Sequence, residues 1–280
     1  MPNLLNLLPA GRQGLQTYSA YFMDLTVITV TWNSEKRIAG QILSVAFGYR
    51  NITCEQIIVD NGSKDNTVEI IKKTAPTVKL IVNKKNLGFA KANNLAVKEA
   101  KGEFILFLNP DTRVEPGVLD RSVNWMYGHK EVGILGCKLV KADGKPNLNS
   151  RPRRFPTLKD QLVIIFKLHH FFPKLLDKYL LRGLDLEKEQ SVDSVQGSFL
   201  LVRRDLIAQL GYPFDERFFI WFEDVDLCRE AKRLGYQVMY QPVWECIDYG
   251  GESFKKRNFV WKQYQFIRSM ILYFRKWSRH

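Results

Sequence analysis

The chain has 280 residues, 45% apolar and 12% aromatic, so it is long enough to bury the core of one large or two small domains. Its formal net charge of +13 favours partners rich in phosphate, namely nucleic acid, an anionic membrane or a diphosphate ligand. The four cysteines form no C-x-x-C pair, which argues against a zinc or redox motif and for a reducing cytosol, and no apolar run reaches the roughly 18 residues of a membrane-spanning helix.

The first 22 residues differ in pattern from the rest of the chain. An apolar run that begins at Leu4 is interrupted by Pro9 and Gly11, and no basic leader precedes it, so we do not expect a signal peptide. We expect residues 1–22 to be a disordered or non-native tail, with Met23 as the natural start. A single domain over residues 23–253 and a basic amphipathic helix over residues 254–280 are expected to follow.

Strands and helices alternate through the first half of the chain. The patterns predict four strands, at residues 25–31, 56–60, 78–82 and 104–108. They predict four helices, at residues 35–47, 65–74, 89–100 and 116–127. Ser34 is the expected cap of the first helix. This alternation is typical of an α/β fold with a doubly wound, mainly parallel sheet.

The second half is less regular. We predict a loop over residues 141–155, a basic and apolar helical stretch over 157–181 that Pro173 breaks, and a strand over 195–202. The periodicity of the apolar residues predicts three more elements. They are a helix over 225–234, a strand over 237–240 and one long terminal helix over 255–279.

The terminal helix carries an apolar stripe and a basic remainder. The stripe consists of Phe259, Phe266, Met270, Phe274 and Trp277. Two interpretations are open: peripheral contact of this stripe with the anionic inner face of the plasma membrane, or packing of the helix on its own domain. In either case we expect a cytoplasmic protein.

Polar residues follow three of the predicted strands. The carboxyl ends of parallel strands meet at one edge of a sheet, so Thr31, Asn33, Asp60 and Asp111 are expected around one crevice. Asp60 could accept the N3–H of a pyrimidine, and Thr31 and Asn33 offer polar groups to the base or ribose. Asp111 could hold Mg²⁺ or Mn²⁺ bridging two phosphates.

A second acidic pair, Glu223 and Asp224, precedes a predicted helix. One of these carboxylates could take a proton from an alcohol, which is the second requirement for sugar transfer from a nucleotide. The alternative is a helix cap with favourable dipole charge.

Seven stretches together resemble the family 2 glycosyltransferases of the GT-A fold, close to their rhamnosyltransferase-like branch. They are residues 30–34, 58–67, 86–94, 108–111, 197–204, 214–219 and 223–228. The resemblance implies inverting transfer of a sugar from a nucleoside-diphosphate donor to a cell-surface polysaccharide or a lipid-linked glycan. It favours dTDP-rhamnose, with UDP-hexose and UDP-galactofuranose left open.

The resemblance also implies roles for residues that bind the donor. Asp111 matches the last position of the family's metal-binding D-x-D motif, whose first position is Asn109 here. Asn86 and Gly88 lie in a stretch assigned to binding the nucleotide sugar. Asp248 stands where the family usually has a metal-binding His, so Asp248 is a candidate second ligand, a sign of weaker metal dependence, or a plain loop residue.

By the same resemblance, the general base lies in the segment of Glu223 and Asp224, with Asp224 preferred and Glu223 as the near alternative. Trp221 just before them is a candidate for stacking on an acceptor sugar, although core packing is equally compatible. Three arginines in the loop over 141–155 could bind a donor or acceptor phosphate or simply be solvated: Arg151, Arg153 and Arg154.

Three rival functions are weighed against this interpretation. A nucleic-acid partner is not expected, because the chain lacks a basic recognition helix, an RNP-type strand and a zinc finger. A sugar-nucleotide pyrophosphorylase would need a Gly-rich loop after the first strand, where residues 31–33 read Thr-Trp-Asn. An inactive carbohydrate-binding or nucleotide-sugar-binding relative is suggested by Asp248 alone.

Overall fold

The first four strands form the parallel half of one sheet. In the computed structural model, which describes residues 23–250 and 258–278, they are β1 (Met23–Thr31), β2 (Cys54–Asp60), β3 (Lys79–Val82) and β4 (Gly102–Leu108). They lie in the order β3-β2-β1-β4 with parallel pairing throughout, as expected for this alternation of strands and helices. The predicted tail over residues 1–22 lies outside the described residues.

The helices of this half are α1 (Ile38–Phe47), α2 (Thr67–Thr74), α3 (Phe89–Val97) and α4 (Val118–Gly128). The prediction that Ser34 caps α1 is wrong. The helix begins at Ile38, with Arg37 at the cap position, and the Ser34 hydroxyl donates to the backbone carbonyl of Trp32 at 3.3 Å. A tight turn therefore separates β1 from α1.

The remaining strands make the sheet mixed. They are β5 (Thr112–Val114), β6 (Val132–Val140), β7 (Gln190–Ser191), β8 (Phe199–Arg203) and β9 (Gln237–Asp248). The order is β3-β2-β1-β4-β8-β6-β9-β5, with β7 beside β9. Strand β8 is antiparallel to both β4 and β6, whereas β6 and β9 are parallel. The predicted parallel pairing thus holds for the first four strands. Strand β8 interrupts it as a reversed strand, and β6 and β9 beyond it run in the direction of β4 again.

The second half also contains α5 (Leu158–Ile165), α6 (Arg204–Leu210), α7 (Glu223–Arg233) and α8 (Phe259–Trp277). The stretch predicted as helical over 157–181 is a helix only in α5. Short 3₁₀ turns at Leu168–His170 and Pro173–Leu176 follow it.

Both faces of β4 are buried, which explains its unbroken apolar sequence. Ile105 and Phe107 belong to a cluster that includes residues of α3 and α7, whereas Phe104, Leu106 and Leu108 belong to a cluster that includes residues of α4. Successive side chains of a strand point to opposite faces, so a central strand covered on both sides needs apolar residues at every position. The carboxyl end of β4 therefore emerges from the middle of the core.

The predicted stripe of α8 packs mostly on the domain. Met270 and Trp277 are buried with Phe218 and Phe222, and Phe266 and Phe274 are partly buried against the same cluster. The interpretation that this stripe faces a membrane is therefore wrong for these residues, and Phe259 is the stripe member that is largely exposed. Among the described helices, none has the length and apolar character needed to cross a bilayer.

Candidate functional site

A cleft of about 520 Å³ lies at the carboxyl ends of β1 and β4, the edge where open α/β sheets bind ligands. Its volume falls within the range typical of sites for small molecules and cofactors. Nine predicted site residues line it: Thr31, Asn86, Gly88, Asn109, Asp111, Trp221, Glu223, Asp224 and Asp248. Five predicted site residues are not among its lining: Asn33, Asp60, Arg151, Arg153 and Arg154.

The paired ends of β1 and β2 each carry a buried side-chain oxygen. Thr31 and Asp60 are paired in register, and neither Thr31 Oγ1 nor Asp60 Oδ1 has a hydrogen-bond partner within the described residues. The other carboxylate oxygen of Asp60 accepts from the backbone N–H groups of Gly62 and Ser63 at 3.2 and 3.0 Å. Buried polar atoms usually have partners, so these two atoms could accept from a bound ligand.

Asn33 holds the loop after β2 in place. Its backbone has a φ of 50°, its N–H donates to Ser63 Oγ at 2.8 Å, and its Oδ1 accepts from the Lys64 N–H at 2.7 Å. Asn tolerates this left-handed conformation better than most residues. The side chain predicted to contact the base or ribose thus binds the neighbouring turn.

Asn61, Asn86 and Gly88 form a hydrogen-bonded wall of the cleft. Asn61 Nδ2 donates to Asn86 Oδ1 and to the Gly88 carbonyl, both at 3.1 Å. Gly88 has a φ of 88°, and a Cβ there would lie 2.6 Å from the Phe219 carbonyl oxygen, too close for any side chain. That carbonyl also accepts from the Phe89 N–H at 2.7 Å, so Gly88 lets the segment before Glu223 approach α3.

Asp111 and Asp248 come together because β5 pairs with the end of β9. Thr112 lies opposite Asp248 in register, and the Tyr249 N–H donates to the Asp111 carbonyl at 3.0 Å. Asn109, at the start of the same turn, donates from Nδ2 to Ser198 Oγ at 3.3 Å. Two carboxylates from distant parts of the chain therefore line one side of the cleft.

Asp248 already accepts three hydrogen bonds. Its Oδ2 accepts from Asn147 Nδ2 at 3.2 Å and from Ser150 Oγ at 2.9 Å, and its Oδ1 accepts from the Gly250 N–H at 2.8 Å. These bonds tie the loop over 147–150 to the end of β9. They fix the orientation of the carboxylate, which suits either a loop support or an oriented ligand.

The acidic residues fit a divalent ion only together with a bound diphosphate. Across the described part of the chain, no three His, Cys, Asp or Glu side chains cluster closely enough to hold a metal. Mg²⁺ is usually bound by one or two carboxylates together with substrate phosphates and water. Asp111 and Asp248 match that donor set, and their oxygen atoms are also suitable for Mn²⁺.

Asp224 lies in the first turn of α7 and is partly exposed to the cleft. Its Oδ2 accepts from the Gly197 N–H at 3.1 Å, and its Oδ1 accepts from the Val225 N–H at 2.8 Å. Burial raises the pKa of Asp224, while these two N–H groups and the Arg153 guanidinium oppose that rise. The result is an oriented carboxylate with a pKa nearer to neutral pH, as a general base requires.

Glu223 is more deeply buried, and its Oε2 has no hydrogen-bond partner within the described residues. Burial raises the pKa of Glu223 well above its usual range, and the charges of Asp224 and Asp226 add to the rise. Its ionised form is therefore less well supported than that of Asp224, which favours Asp224 as the base.

An unusual turn presents these carboxylates. Trp221 and Phe222 both have left-handed backbone conformations, with φ of 67° and 71°. Each such residue costs on the order of 1–3 kcal/mol unless its surroundings hold it. Phe266 of α8 packs against both rings, with centroids 5.9 and 5.6 Å away, and Tyr273 lies 5.4 Å from Phe222.

The three predicted phosphate-binding arginines donate to backbone carbonyls of residues 149, 179 and 181. Arg151 donates to the Leu181 carbonyl at 2.6 Å, and Arg153 donates to the Asn149 carbonyl at 2.5 Å. The backbone N–H of Arg154 donates to the Tyr179 carbonyl at 3.0 Å, and its side chain is exposed. Arg153 is the one whose charge acts on Asp224.

The sequence patterns did not identify several residues of the cleft: Asn61, Asn147, Asn149, Ser150, Gln196, Gly197, Ser198, Phe219 and Trp261. Gly197 and Ser198 lie in a stretch that carries the family resemblance, which was a usable signal. Trp261 belongs to α8 and lies 5.8 Å from the Phe219 ring, in an edge-to-face arrangement. No local pattern could have placed it in the cleft.

Comparisons with known proteins identify the family and the fold. The model of the family described as Glycosyl transferase family 2 matches residues 26–211. An N-acetylglucosaminyl-diphospho-decaprenol L-rhamnosyltransferase of Mycobacterium tuberculosis is 28% identical over 242 residues, which cover 82% of this chain and 77% of that protein. Rhamnosyltransferase WbbL of Escherichia coli is 29% identical over 185 residues, which cover 62% of this chain and 66% of that protein.

A solved structure with the same fold is the mannosyltransferase PcManGT from Pyrobaculum calidifontis, in complex with GDP-Man and Mn²⁺. It aligns with a TM-score of 0.64 at 20% identity, covering 93% of this chain and 66% of that chain. This likeness confirms the predicted GT-A fold.

Proposed function

Because the chain belongs to glycosyl transferase family 2 and is a rhamnosyltransferase-like hexosyltransferase, we propose that it moves a sugar from a nucleoside-diphosphate donor with inversion at the anomeric carbon. The observation that carries the proposal is the convergence of Asp111 and Asp224 on one cleft of about 520 Å³. Asp111 follows β4 and Asp224 lies in the first turn of α7, so two distant segments supply the two acidic functions that the reaction needs.

In the proposed reaction, Asp224 takes the proton of an acceptor hydroxyl as its oxygen forms a bond to the anomeric carbon. The bond between that carbon and the diphosphate breaks, and its electron pair leaves with the diphosphate. Attack from the face opposite the leaving group inverts the anomeric configuration. The hydrogen bonds from Gly197 and Val225 hold the Asp224 carboxylate in one orientation, which favours a near-attack geometry.

We infer that Asp111 and Asp248 hold Mg²⁺ or Mn²⁺ in the donor complex. Such an ion supplies Lewis-acid stabilisation of the charge that develops on the departing diphosphate. The oxygen donors of both residues support this assignment, and the mannosyltransferase with the same fold contains Mn²⁺. The alternative role of Asp248 is to hold the loop over 147–150 by its hydrogen bonds with Asn147 and Ser150. In that case Asp111 is the main metal ligand.

The proposed donor is a pyrimidine nucleotide sugar, with dTDP-rhamnose favoured over UDP-hexose and UDP-galactofuranose. Two curated relatives are named as rhamnosyltransferases. The partnerless Oδ1 of Asp60 could accept the N3–H of thymine or uracil, and Thr31 Oγ1 lies on the neighbouring strand end. Asn86 and Gly88 would line the same donor pocket.

The proposed acceptor is a lipid-linked glycan or a cell-surface polysaccharide, extended at the cytoplasmic face of the membrane. The mycobacterial relative is named for an acceptor on diphospho-decaprenol. Trp221, Phe219 and Trp261 give the cleft an aromatic wall, on which the apolar face of a sugar ring could stack.

Thermal-shift measurements with dTDP-rhamnose, UDP-glucose, UDP-galactofuranose and GDP-mannose, each with and without Mn²⁺, test the donor assignment. We expect a pyrimidine nucleotide sugar to raise the melting temperature more in the presence of Mn²⁺ than in its absence. Turnover is then measured as release of nucleoside diphosphate with an N-acetylglucosaminyl-diphospho-polyprenol acceptor. Stabilisation by none of these donors, with or without the ion, would refute the proposed function.

A further inference from the structure

Helix α8 has a second apolar face that the domain does not cover. Val260, Tyr264, Ile267 and Ile271 are spaced by four, three and four residues and therefore lie on one side of the helix. Between 38% and 75% of each of these side chains is exposed. Met270 and Trp277 of the same helix are buried in the core, whereas these four residues are not part of it.

A second exposed apolar face lies on α5 and the turns that follow it. Leu158 and Leu162 of α5 and Phe166 at its C-terminal cap are spaced by four residues, and their exposed fractions are 53%, 41% and 66%. Phe171 and Phe172, between the two 3₁₀ turns, are 78% and 62% exposed. Large aromatic side chains that are mostly exposed on consecutive positions indicate a contact surface.

These two faces adjoin one another. Ile165 of α5 packs against the cluster that contains Met270 and Tyr273 of α8. The ammonium group of Lys167, just after α5, lies 5.9 Å from the centroid of the Phe259 ring. We define the apolar surface as the exposed apolar residues of 158–175 together with those of 259–271.

Positive charge surrounds the apolar surface. Lys159, Lys167, Lys174 and Lys178 are exposed along its first part. The two acidic residues near these lysines form hydrogen bonds or ion pairs with neighbouring residues. Asp160 completes the cap of α5, and Asp177 pairs with Arg182 at 2.9 Å. Residues 258–278 contain no Asp or Glu. Arg268 and Arg275 are exposed there, whereas the side chain of Lys276 is mostly buried and pairs with Asp226.

We propose that the apolar surface binds the surface of an anionic lipid bilayer, with its aromatic and aliphatic side chains placed among the headgroups. An apolar face bordered by lysines whose long side chains keep their charge at the headgroup level is the pattern of an interfacial protein. The surface differs from the stripe first predicted on α8, because Phe266, Met270 and Trp277 of that stripe pack on the domain.

The position of this surface gives it a use in catalysis. Trp261, which lines the cleft, is the next residue after Val260 of the apolar surface. A bilayer bound there would bring a lipid-linked acceptor to the aromatic wall of the cleft. This use depends on the proposed function, whereas the binding of lipid does not.

Vesicle sedimentation of the full chain tests the proposal. We expect binding to vesicles that contain phosphatidylglycerol, weaker binding to pure phosphatidylcholine, and loss of binding as salt is raised. The double variant Phe171→Asp, Phe172→Asp should bind at least about tenfold more weakly, since each buried Phe contributes roughly that factor. Val260→Asp with Ile267→Asp, on the other half of the surface, should weaken binding as well.

Phe47→Asp is the matched control, because Phe47 is 67% exposed at the end of α1, outside the apolar surface. It should bind vesicles like the unaltered chain. Equal vesicle binding by the control and by both double variants would overturn the proposal. It would also be overturned if the unaltered chain bound no vesicles and instead formed a dimer in solution that was absent in both double variants.

Calorimetric titration of the same proteins with a nucleotide sugar separates the two proposals. Loss of vesicle binding with intact donor binding would support the apolar surface as a lipid contact. Vesicle binding without binding of any nucleotide sugar would refute the proposed function and leave the lipid contact supported.

Discussion

The ammonium group of Lys276 lies 2.7 Å from Oδ2 of Asp226, and both side chains are almost fully buried. This ion pair joins α8 to α7, the helix whose first turn contains the proposed base. Glu230 Oε1 lies 2.8 Å from the same ammonium, and the Trp277 indole N–H donates to Asp226 Oδ1 at 2.8 Å. The last helix is therefore part of the structure that holds Asp224 in place.

Lys276→Met should lower the free energy of unfolding by about 3–5 kcal/mol, the usual loss when one partner of a buried pair is removed. Burial disfavours the charged form of Lys276, but Asp226 and Glu230 outweigh burial and raise its pKa. Urea denaturation measures the change. The control is Lys79→Met, whose partner Glu99 is about half exposed, and it should alter stability far less. Equal losses in the two variants would contradict the prediction.

Asp224→Asn should lower kcat by at least about 100-fold, as expected when a general base is removed, and leave donor binding intact. Release of nucleoside diphosphate reports turnover, and calorimetry reports the donor Kd. Asp143→Asn, on the loop between β6 and α5, changes the same functional group outside the cleft and should behave like the unaltered chain. Near-normal turnover by Asp224→Asn, with loss in Glu223→Gln, would assign the base to Glu223.

The pH dependence of kcat/KM should show an acid limb from Asp224. A base acts in its ionised form, so activity falls as pH drops through its pKa. Burial raises the pKa of Asp224, which places this limb above the ordinary range of an aspartate. Rate measurements across pH 4–9 would reveal it, and the residual activity of Asp224→Asn should lack it. A rate that stays constant down to about pH 4 would exclude the raised pKa.

Glu223→Gln should stabilise the fold at pH 8 and have a smaller effect at pH 5. Burial raises the pKa of Glu223 in the folded state above its unfolded value. The stability that its neutral form contributes is thus present at low pH and lost as pH rises through the folded pKa. A neutral amide avoids that loss. Thermal unfolding at both pH values measures it, and a variant less stable at pH 8 would contradict the assignment.

Asp111→Ala should remove the part of donor-induced thermal stabilisation that depends on Mn²⁺. Chelation of the ion from the unaltered chain should have the same effect, since both changes remove the link between ion and diphosphate. Asp248→Asn is the informative comparison, because it keeps the side-chain shape but weakens a carboxylate ligand. An unchanged Mn²⁺ effect in Asp111→Ala would refute the role of Asp111, and an unchanged effect in Asp248→Asn would make Asp248 a loop support.

The first half of the fold could be predicted because each element there is encoded locally. The second half could be predicted only in part: its two longest helices were expected, but the full length of β9 was not. The predicted strand ended at Tyr240, two residues before Pro242, which cannot donate a hydrogen bond to a neighbouring strand. The real strand continues past Pro242 through an irregularity in which Cys137 pairs with Gln241 and the next residue, Lys138, pairs with Glu245. That extension creates the partner for β5.

The residues of the candidate site likewise fall into those that the sequence could predict and those that it could not. Asp111 and Asp224 could be predicted, because each stands at an element boundary next to a strong apolar or helical pattern. Trp261 could not, since its place in the cleft depends on how α8 packs on the domain. Asn33 was predicted to contact the nucleotide, yet its amide oxygen binds the Lys64 N–H, a contact that depends on the approach of the loop after β2.

The left-handed pair Trp221 and Phe222 has a consequence for biosynthesis. Its conformation is held by Phe266 and Tyr273, which the ribosome adds more than forty residues later. A nascent polypeptide in which α7 has already emerged still lacks those rings. Glu223 and Asp224 are therefore not yet held in the orientation that they have in the complete fold. We therefore expect catalytic competence to appear only once translation has passed Trp277, whose indole completes the contact with Asp226.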